Sequence, residues 1–301
     1  MRLLIIGGTG HFSGRITERA VAQGHEVVLY NRGRRPQPQG ITVPVIHGER
    51  DELRAHTDEI ATFAPQAVVD SICFQPDQAQ VLVDLFAQVQ RIVFISSVDA
   101  YGEDLGAAPV AETRDPAPVS DYGKGKLAAE KLLLNALGER LTVFRPSHIL
   151  GRGFLTTSLW SRTPFLVDRI RKNRPVPAID GGRNLMTPVY GGDIAEWVLR
   201  ALETPAAGGQ VFNAVGPEII PQLRYYQAIA QTLETELHVV SVPYSQVPPE
   251  PARPSQLSSA QSVSRSQSLS PLSSQVDSEP PQSASTASWH PSASLSSESA
   301  Q

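Results

Sequence analysis

Short, continuously apolar runs alternate with amphipathic stretches along the first 215 residues. The runs predict strands over Arg2–Ile6, Glu26–Tyr30, Val43–Ile46, Ala67–Ile72, Arg91–Ser96 and Leu141–Arg145. Helical periodicity predicts helices over Gly14–Gln23, Gln78–Ala87, Tyr122–Leu137, Pro164–Lys172 and Asp193–Leu202. Strands that lack polar alternation are buried on both faces, as in a parallel sheet covered by helices. About 24 residues separate the starts of the first two strands, room for one crossover helix. The expected fold is therefore α/β, with a doubly wound parallel sheet. Tyr225–Leu233 predicts one further helix, and His238–Val242 one further strand.

This pattern breaks at Pro248. From Ser255 to Gln301 about two residues in five are serine, with scarcely any aliphatic periodicity. Such a segment buries too little apolar surface to offset its ordering entropy, so 249–301 is expected to be a disordered Ser/Pro-rich tail. A regulatory tail and a degenerate terminus fit this composition equally well.

Charge narrows the partners. With 26 Lys and Arg against 30 Asp and Glu, the formal charge is −4, which gives no electrostatic footprint for nucleic acid over the whole surface. The single Cys73 excludes an intrachain disulfide and fits a reducing compartment. No apolar run approaches a membrane span, and Leu3–Ile6 is too short for a signal-peptide core. A soluble, cytoplasmic protein is expected, with no membrane partner and no metal site.

Candidate chemistry begins where the first strand ends. Gly7-Gly8-Thr9-Gly10-His11-Phe12-Ser13-Gly14 puts glycines at a strand-to-helix turn, where backbone N–H groups can approach a pyrophosphate at the positive end of the next helix. Gly7, Gly8, Thr9, Gly10, His11 and Phe12 are the candidate cofactor residues. In the common GxxGxxG form the third glycine falls at Ser13, a residue still small enough for close packing. At the end of the second strand Asn31 stands where an NAD site usually has a carboxylate, and Arg32, Arg34 and Arg35 follow. A guanidinium fork suits a 2′-phosphate. NADP is therefore the expected cofactor, through Asn31, Arg32 and Arg34, with NAD as the alternative. His47–Arg50 is placed at the border of the adenine by position alone.

The fifth strand leads into Ser96-Ser97-Val98-Asp99-Ala100-Tyr101-Gly102, so Ser97 lies at the carboxyl end of a central strand, where ligands bind in open α/β sheets. About 25 residues on, Ser120 is placed to cap a helix that carries Tyr122 and Lys126 on one face. An ammonium beside a phenol favours the phenolate, and a hydroxyl at Ser97 could hold the reacting oxygen. Gly123 and Gly125 in the first turns imply that something packs closely there, and a nicotinamide ribose would suit.

Taken together, GGTG at Gly7–Gly10, GHEVVLYNRGR at Gly24–Arg34, FISSVDAYG at Phe94–Gly102, YGKGK at Tyr122–Lys126 and RPSHILG at Arg145–Gly151 resemble an extended short-chain dehydrogenase/reductase of the NAD-dependent epimerase/dehydratase-like branch. The resemblance covers roughly residues 1–245. It implies a Rossmann domain over 1–248, with a small substrate lobe contributed mainly by 151–190 and 215–248. It also implies a catalytic Ser97–Tyr122–Lys126 set that uses NAD(P) to oxidise or epimerise a sugar, nucleotide-linked in many members. In dehydratase-like relatives acidic residues just after the catalytic Ser or Thr act as acid and base. Here Val98 fills one such position and Asp99 the next, so a single base at Asp99 stays open. A homodimer is possible. Between Arg145 and Asp193 several cations, including Arg152, Arg162, Arg169, Arg171 and Arg183, could meet a phosphate-bearing substrate. Family patterns near the second lobe read R-D-F-V-Y-V-D-D-V. Tyr190 and Asp193 match, with Asp193 a simple helix N-cap, whereas Met186 stands for the arginine, leaving Arg152 or Arg183 to serve the substrate. The rival reading is a non-catalytic NAD(P)-binding sensor or an RNA-associated relative of the same fold.

Overall fold

The computed structural model describes residues 1–102, 109–151 and 165–246. The serine-rich tail and Arg152 lie outside the described residues. In chain order the first half comprises β1 (Arg2–Ile6), α1 (Ser13–Ala22), β2 (Glu26–Asn31), β3 (Val45–His47), α2 (Thr57–Phe63), β4 (Ala67–Asp70), α3 (Pro76–Phe86), β5 (Arg91–Ile95), α4 (Asp121–Leu137) and β6 (Leu141–Pro146). There follow β7 (His148–Leu150), α5 (Phe165–Arg171), β8 (Val176–Ile179), β9 (Leu185–Met186), β10 (Pro188–Tyr190) and α6 (Gly191–Glu203). The last are β11 (Val211–Ala214), β12 (Ile220–Pro221), α7 (Gln222–Thr232) and β13 (Val239–Val242).

The central sheet has seven parallel strands in the order β11-β6-β5-β4-β1-β2-β3. Strand order reverses beside β1, which pairs with β2 on one side and β4 on the other. The crevice outside the carboxyl ends at such a reversal is where open α/β sheets bind ligands.

The continuously apolar strands are buried on both faces, as their composition requires. On one face Leu3, Ile5, Val69 and Ile95 pack under Ile16 and Ala20 of α1 and Val198, Leu199 and Leu202 of α6. On the other, Leu4, Ile6, Val68, Ile92 and Phe94 pack under Leu82 and Phe86 of α3 and Leu133 and Leu137 of α4. A third, smaller core joins Leu166 and Ile170 of α5, Val176 and Ile179 of β8, Met186 of β9, and Tyr225 and Tyr226 of α7. Among the described residues no helix is long and apolar enough to cross a membrane.

Element ends depart from the sequence pattern where a side chain intervenes. The apolar run Ala67–Ile72 stops as a strand at Asp70, because Asp70 Oδ1 accepts the Ile72 N–H at 2.8 Å and turns the backbone. The helix α6 begins at Gly191, two residues before Asp193, so Asp193 sits in its first turn and is not its cap.

Beneath the sheet's open end lies a buried ion pair. Arg145 on β6 grips Glu130 on α4 through both Nε (3.1 Å to Oε2) and Nη2, and the two side chains are 4 % and 2 % exposed. The guanidinium lies 4.7 Å from the Tyr101 ring centroid, and Tyr101 O–H donates to Asn213 Oδ1 on β11 at 2.9 Å. Removing one partner of such a pair strands a buried charge, at about 3–5 kcal/mol. Glu130→Ala is expected to lower the unfolding free energy by that amount in urea titrations, far more than loss of the exposed Arg171–Asp168 pair.

Candidate dinucleotide and catalytic site

The turn after β1 is shaped by positive backbone angles, φ +110° at Gly7 and +78° at Gly8. A Cβ at Gly7 would lie 2.3 Å from Ser71 Oγ, and one at Gly8 would lie 2.6 Å from Leu29 Cδ2, so both positions exclude any side chain. Buried polar groups fix the loop from behind: Thr17 Oγ1 donates to Gly8 O at 2.8 Å and Asn31 Nδ2 to Gly7 O at 3.1 Å. Ser13 takes the third-glycine place with its hydroxyl turned onto the loop, where it accepts the Gly10 N–H at 3.0 Å. At Gly10 a Cβ would meet nothing but the Ser13 side chain within 4 Å. No side chain caps α1, and its first turn carries no acidic residue. These features fit a pyrophosphate at the helix's positive end.

The β2 end differs from its sequence-level picture in one respect. Asn31 is buried, and its amide spans two backbone groups, Gly7 O and the Gly33 N–H (2.8 Å to Oδ1). It therefore ties the glycine turn to the loop of arginines. Arg34 Nη2 lies 2.7 Å and Arg32 Nη1 3.6 Å from the carboxylate of Glu49, which follows β3. Glu49 is itself held: its carbonyl accepts from Tyr30 O–H at 2.7 Å, and its N–H donates to Glu52 Oε2 at 2.9 Å in a reciprocal cap.

Across the sheet reversal, α4 begins at Asp121, and Ser120 caps it by accepting the Gly123 N–H at 2.9 Å. The glycines in its first turns accommodate the protein's own backbone. A Cβ at Gly123 would lie 2.5 Å from Asp99 O, and one at Gly125 2.4 Å from Phe74 O. The loops after β5 and β4 thus press directly on α4. Lys126, 1 % exposed, crosses between them, and its Nζ donates to Cys73 O at 2.6 Å and to Ile95 O at 2.7 Å. The ammonium stands 4.5 Å from the Phe74 ring centroid, 5.0 Å from Phe94 and 5.9 Å from Tyr122. Burial pulls the Lys126 ammonium down to about 8, while the nearby Asp70 opposes that fall. Tyr122 is half-buried, its ring 6.1 Å from that of Phe74. Ser97 is buried at the carboxyl end of β5, and its Oγ accepts the Asp99 N–H at 3.2 Å. Beside it, Ser96 Oγ is buried with no hydrogen-bond partner.

The structure thus brings Ser97, Asp99, Tyr122 and Lys126 to one end of the sheet, next to the glycine turn. A neighbouring cluster had no signal in the sequence. Arg50 Nη2 donates to the fully buried Asp70 at 2.8 Å and to Gln78 O at 2.9 Å, beside Cys73, whose thiol is pushed up to about 12 by burial. Asp70 ends the central strand β4, and Arg50 reaches it from the turn after β3.

A shallow cleft is lined by His11, Phe12, Arg15, Ile149, Tyr190 and Gly191, among others. Tyr190 thus meets the glycine-turn residues. Arg183 lies on a separate exposed turn, donating from Nε to Asp180 O at 3.1 Å. Met186 is 4 % exposed in the third core, so it takes no ligand-facing place. Arg169 is equally internal, with Nε donating to Pro175 O at 2.7 Å.

This parallel sheet, with a glycine turn at its reversal point, defines a dinucleotide-binding protein of the Rossmann type. The chain belongs to the NAD dependent epimerase/dehydratase family, whose model matches residues 3–215. It is 26% identical over 254 residues to 2'-dehydrokanamycin reductase of Streptomyces kanamyceticus, covering 81% of this chain and 70% of the reductase. It is 25% identical over 260 residues to N-acetyl-alpha-D-glucosaminyl-diphospho-ditrans,octacis-undecaprenol 4-epimerase of Escherichia coli O157:H7, covering 80% of this chain and 75% of the epimerase. Its fold matches the crystal structure of Thermus thermophilus UDP-glucose 4-epimerase in complex with NAD, with TM-score 0.66 and 21% identity over 81% of this chain and 86% of that one. The protein is an enzyme of the NAD-dependent oxidoreductase and epimerase kind.

Two outcomes follow from the packing around α4. Alanine favours a helix interior over glycine by about 1 kcal/mol, yet Gly125→Ala is expected to lower the melting temperature, because its methyl collides with Phe74 O. The second concerns Lys126, whose folded pKa of about 8 lies below its unfolded 10.5. Between those values the unfolded chain binds more protons, so this group's contribution to stability rises with pH. The unfolding free energy of the native chain relative to Lys126→Met, measured in urea at successive pH values, should increase from about pH 8 towards 10.5.

Proposed function

We propose that the enzyme binds NADP, with NAD as an alternative cofactor, and oxidises, reduces or epimerises a carbinol carbon of a sugar, nucleotide-linked, with Tyr122 as the proton-transferring group. One observation carries the reading: a buried ammonium, Lys126, is anchored at the carboxyl ends of β4 and β5 with the Tyr122 ring 5.9 Å away, at the end of the sheet that also carries the glycine turn. The names of the two curated relatives, a reductase and a sugar 4-epimerase, support the same class of chemistry.

The glycine turn Gly7–Phe12 and the uncapped start of α1 hold the pyrophosphate, while Arg32 and Arg34 face the adenosine ribose. When bound, the nicotinamide supplies a hydride acceptor or donor. Tyr122, as phenolate, takes the proton from the substrate hydroxyl during oxidation and returns it during reduction. Lys126 stabilises that phenolate through its charge. Ser97 donates to the reacting oxygen, and Asp99 stands by as a further base. Tyr190 at the cleft contacts the substrate, with Arg152 as its phosphate partner. The rival, RNA-associated reading has less support, because Arg50 and Arg145 are buried in ion pairs and Arg54 is paired with Asp84.

Tyr122→Phe should lower kcat by about 10²–10⁴-fold while the dissociation constant for NADP stays within a few-fold. Full activity in this variant would end the mechanism. Because Lys126 loses its charge near pH 8, kcat should fall above that pH, as steady-state rates across pH 6–10 would show.

A further inference from the structure

The loop that would choose between the two dinucleotides already faces an anion of this chain. The carboxylate of Glu49 lies 2.7 Å from Arg34 Nη2 and 3.6 Å from Arg32 Nη1, so both arginines read as phosphate ligands are engaged from within the chain. This anion is fastened in place. Its backbone is held by Tyr30 O–H and by the Glu52 carboxylate, and its side chain in turn accepts from the Glu52 N–H. The opposite rim is as firmly set. Asn31 binds Gly7 O and the Gly33 N–H, and at Gly33, with φ +67°, a Cβ would lie 2.9 Å from the His47 ring.

We propose that Glu49 is a specificity-determining residue: by neutralising Arg32 and Arg34 it holds down the preference for a 2′-phosphorylated dinucleotide that these arginines would otherwise confer, so that the enzyme accepts both NAD and NADP. The proposal rests on the cofactor reading above. A 2′-phosphate carries roughly two negative charges, and it must displace the carboxylate from the guanidinium groups. The backbone of Glu49 is held by Tyr30 O–H and the Glu52 carboxylate, so the displaced carboxylate stays tethered near the phosphate as a like charge. A bare 2′-hydroxyl brings no charge and demands no such exchange. Glu49 comes from the β3 end, so it exerts this control from outside the loop that carries the arginines.

The test is titration of the full chain with NADP+ and NAD+ by calorimetry, comparing the native protein with Glu49→Gln. Glutamine keeps an acceptor oxygen for the Glu52 N–H and removes only the charge. The ratio Kd(NADP+)/Kd(NAD+) should fall about tenfold, the order of one like charge removed at close range near the surface. In an Arg32→Gln, Arg34→Gln background the same Glu49→Gln change should leave the ratio within twofold. A ratio unmoved by Glu49→Gln in the native background would overturn the proposal, as would a loss of affinity shared equally by both dinucleotides, which would assign Glu49 to the common adenosine. Retained folding is checked by the melting temperature of each variant. If the native chain binds neither dinucleotide, the cofactor reading itself fails; if it binds both and only the ratio test fails, that reading stands and the role of Glu49 falls.

Discussion

A single buried ammonium organises the working end of this protein. Lys126 is buried, so its charge must be met by what the fold provides, and the carbonyls of Cys73 and Ile95 and two aromatic faces do so. The geometry has consequences in both directions. The loops after β4 and β5 must come close enough for Cys73 O and Ile95 O to accept from one nitrogen, and α4 must carry glycines where those loops press on it. In return, the lysine links the loop after β4 to the end of β5, with the Phe74, Phe94 and Tyr122 rings around its nitrogen. The arrangement at this end of the sheet thus answers a solvation requirement.

Much of the scaffold was legible in the sequence, and the reason is physical. β1, β2 and β5 are buried on both faces, so Leu3–Ile6, Val27–Tyr30 and Ile92–Ile95 are apolar without interruption, and α1 and α4 carry a packed stripe. Elements with little to bury left no such trace. β11 is a four-residue edge strand, and the turns from Arg50 to Phe63 bury little beyond Leu53, Ile60 and Arg50 itself. Their signal was local instead, a reciprocal cap between Glu49 and Glu52.

The site was legible in outline and misread in detail. Glycines at 123 and 125 do mark a close approach, but the visitor is backbone carbonyl, at Asp99 and Phe74, where a cofactor ribose was expected. Asn31 occupies the expected position, yet both ends of its amide are spent on Gly7 and Gly33. Met186 looked like a lost ligand and is a core residue. Each case has one cause: a residue type restricts what a position can contact, and only the three-dimensional neighbours decide which contact is made. The pairings of Glu49 with Arg34 and of Asp70 with Arg50 join separate strand ends, so no linear spacing announces them.

Cys73 lies in the loop after β4, and its own carbonyl accepts a hydrogen bond from Lys126 Nζ. Its thiol has no exposure, and burial raises it to about 12, so almost none of it is thiolate at neutral pH. The chain has one cysteine. Reaction with an alkylating reagent therefore requires the segment between β4 and α3 to lift away from α4, and its rate becomes a built-in clock for that opening. The lone thiol, inert in the closed protein, is a native reporter on how often the floor of the crevice at the sheet's carboxyl end breathes.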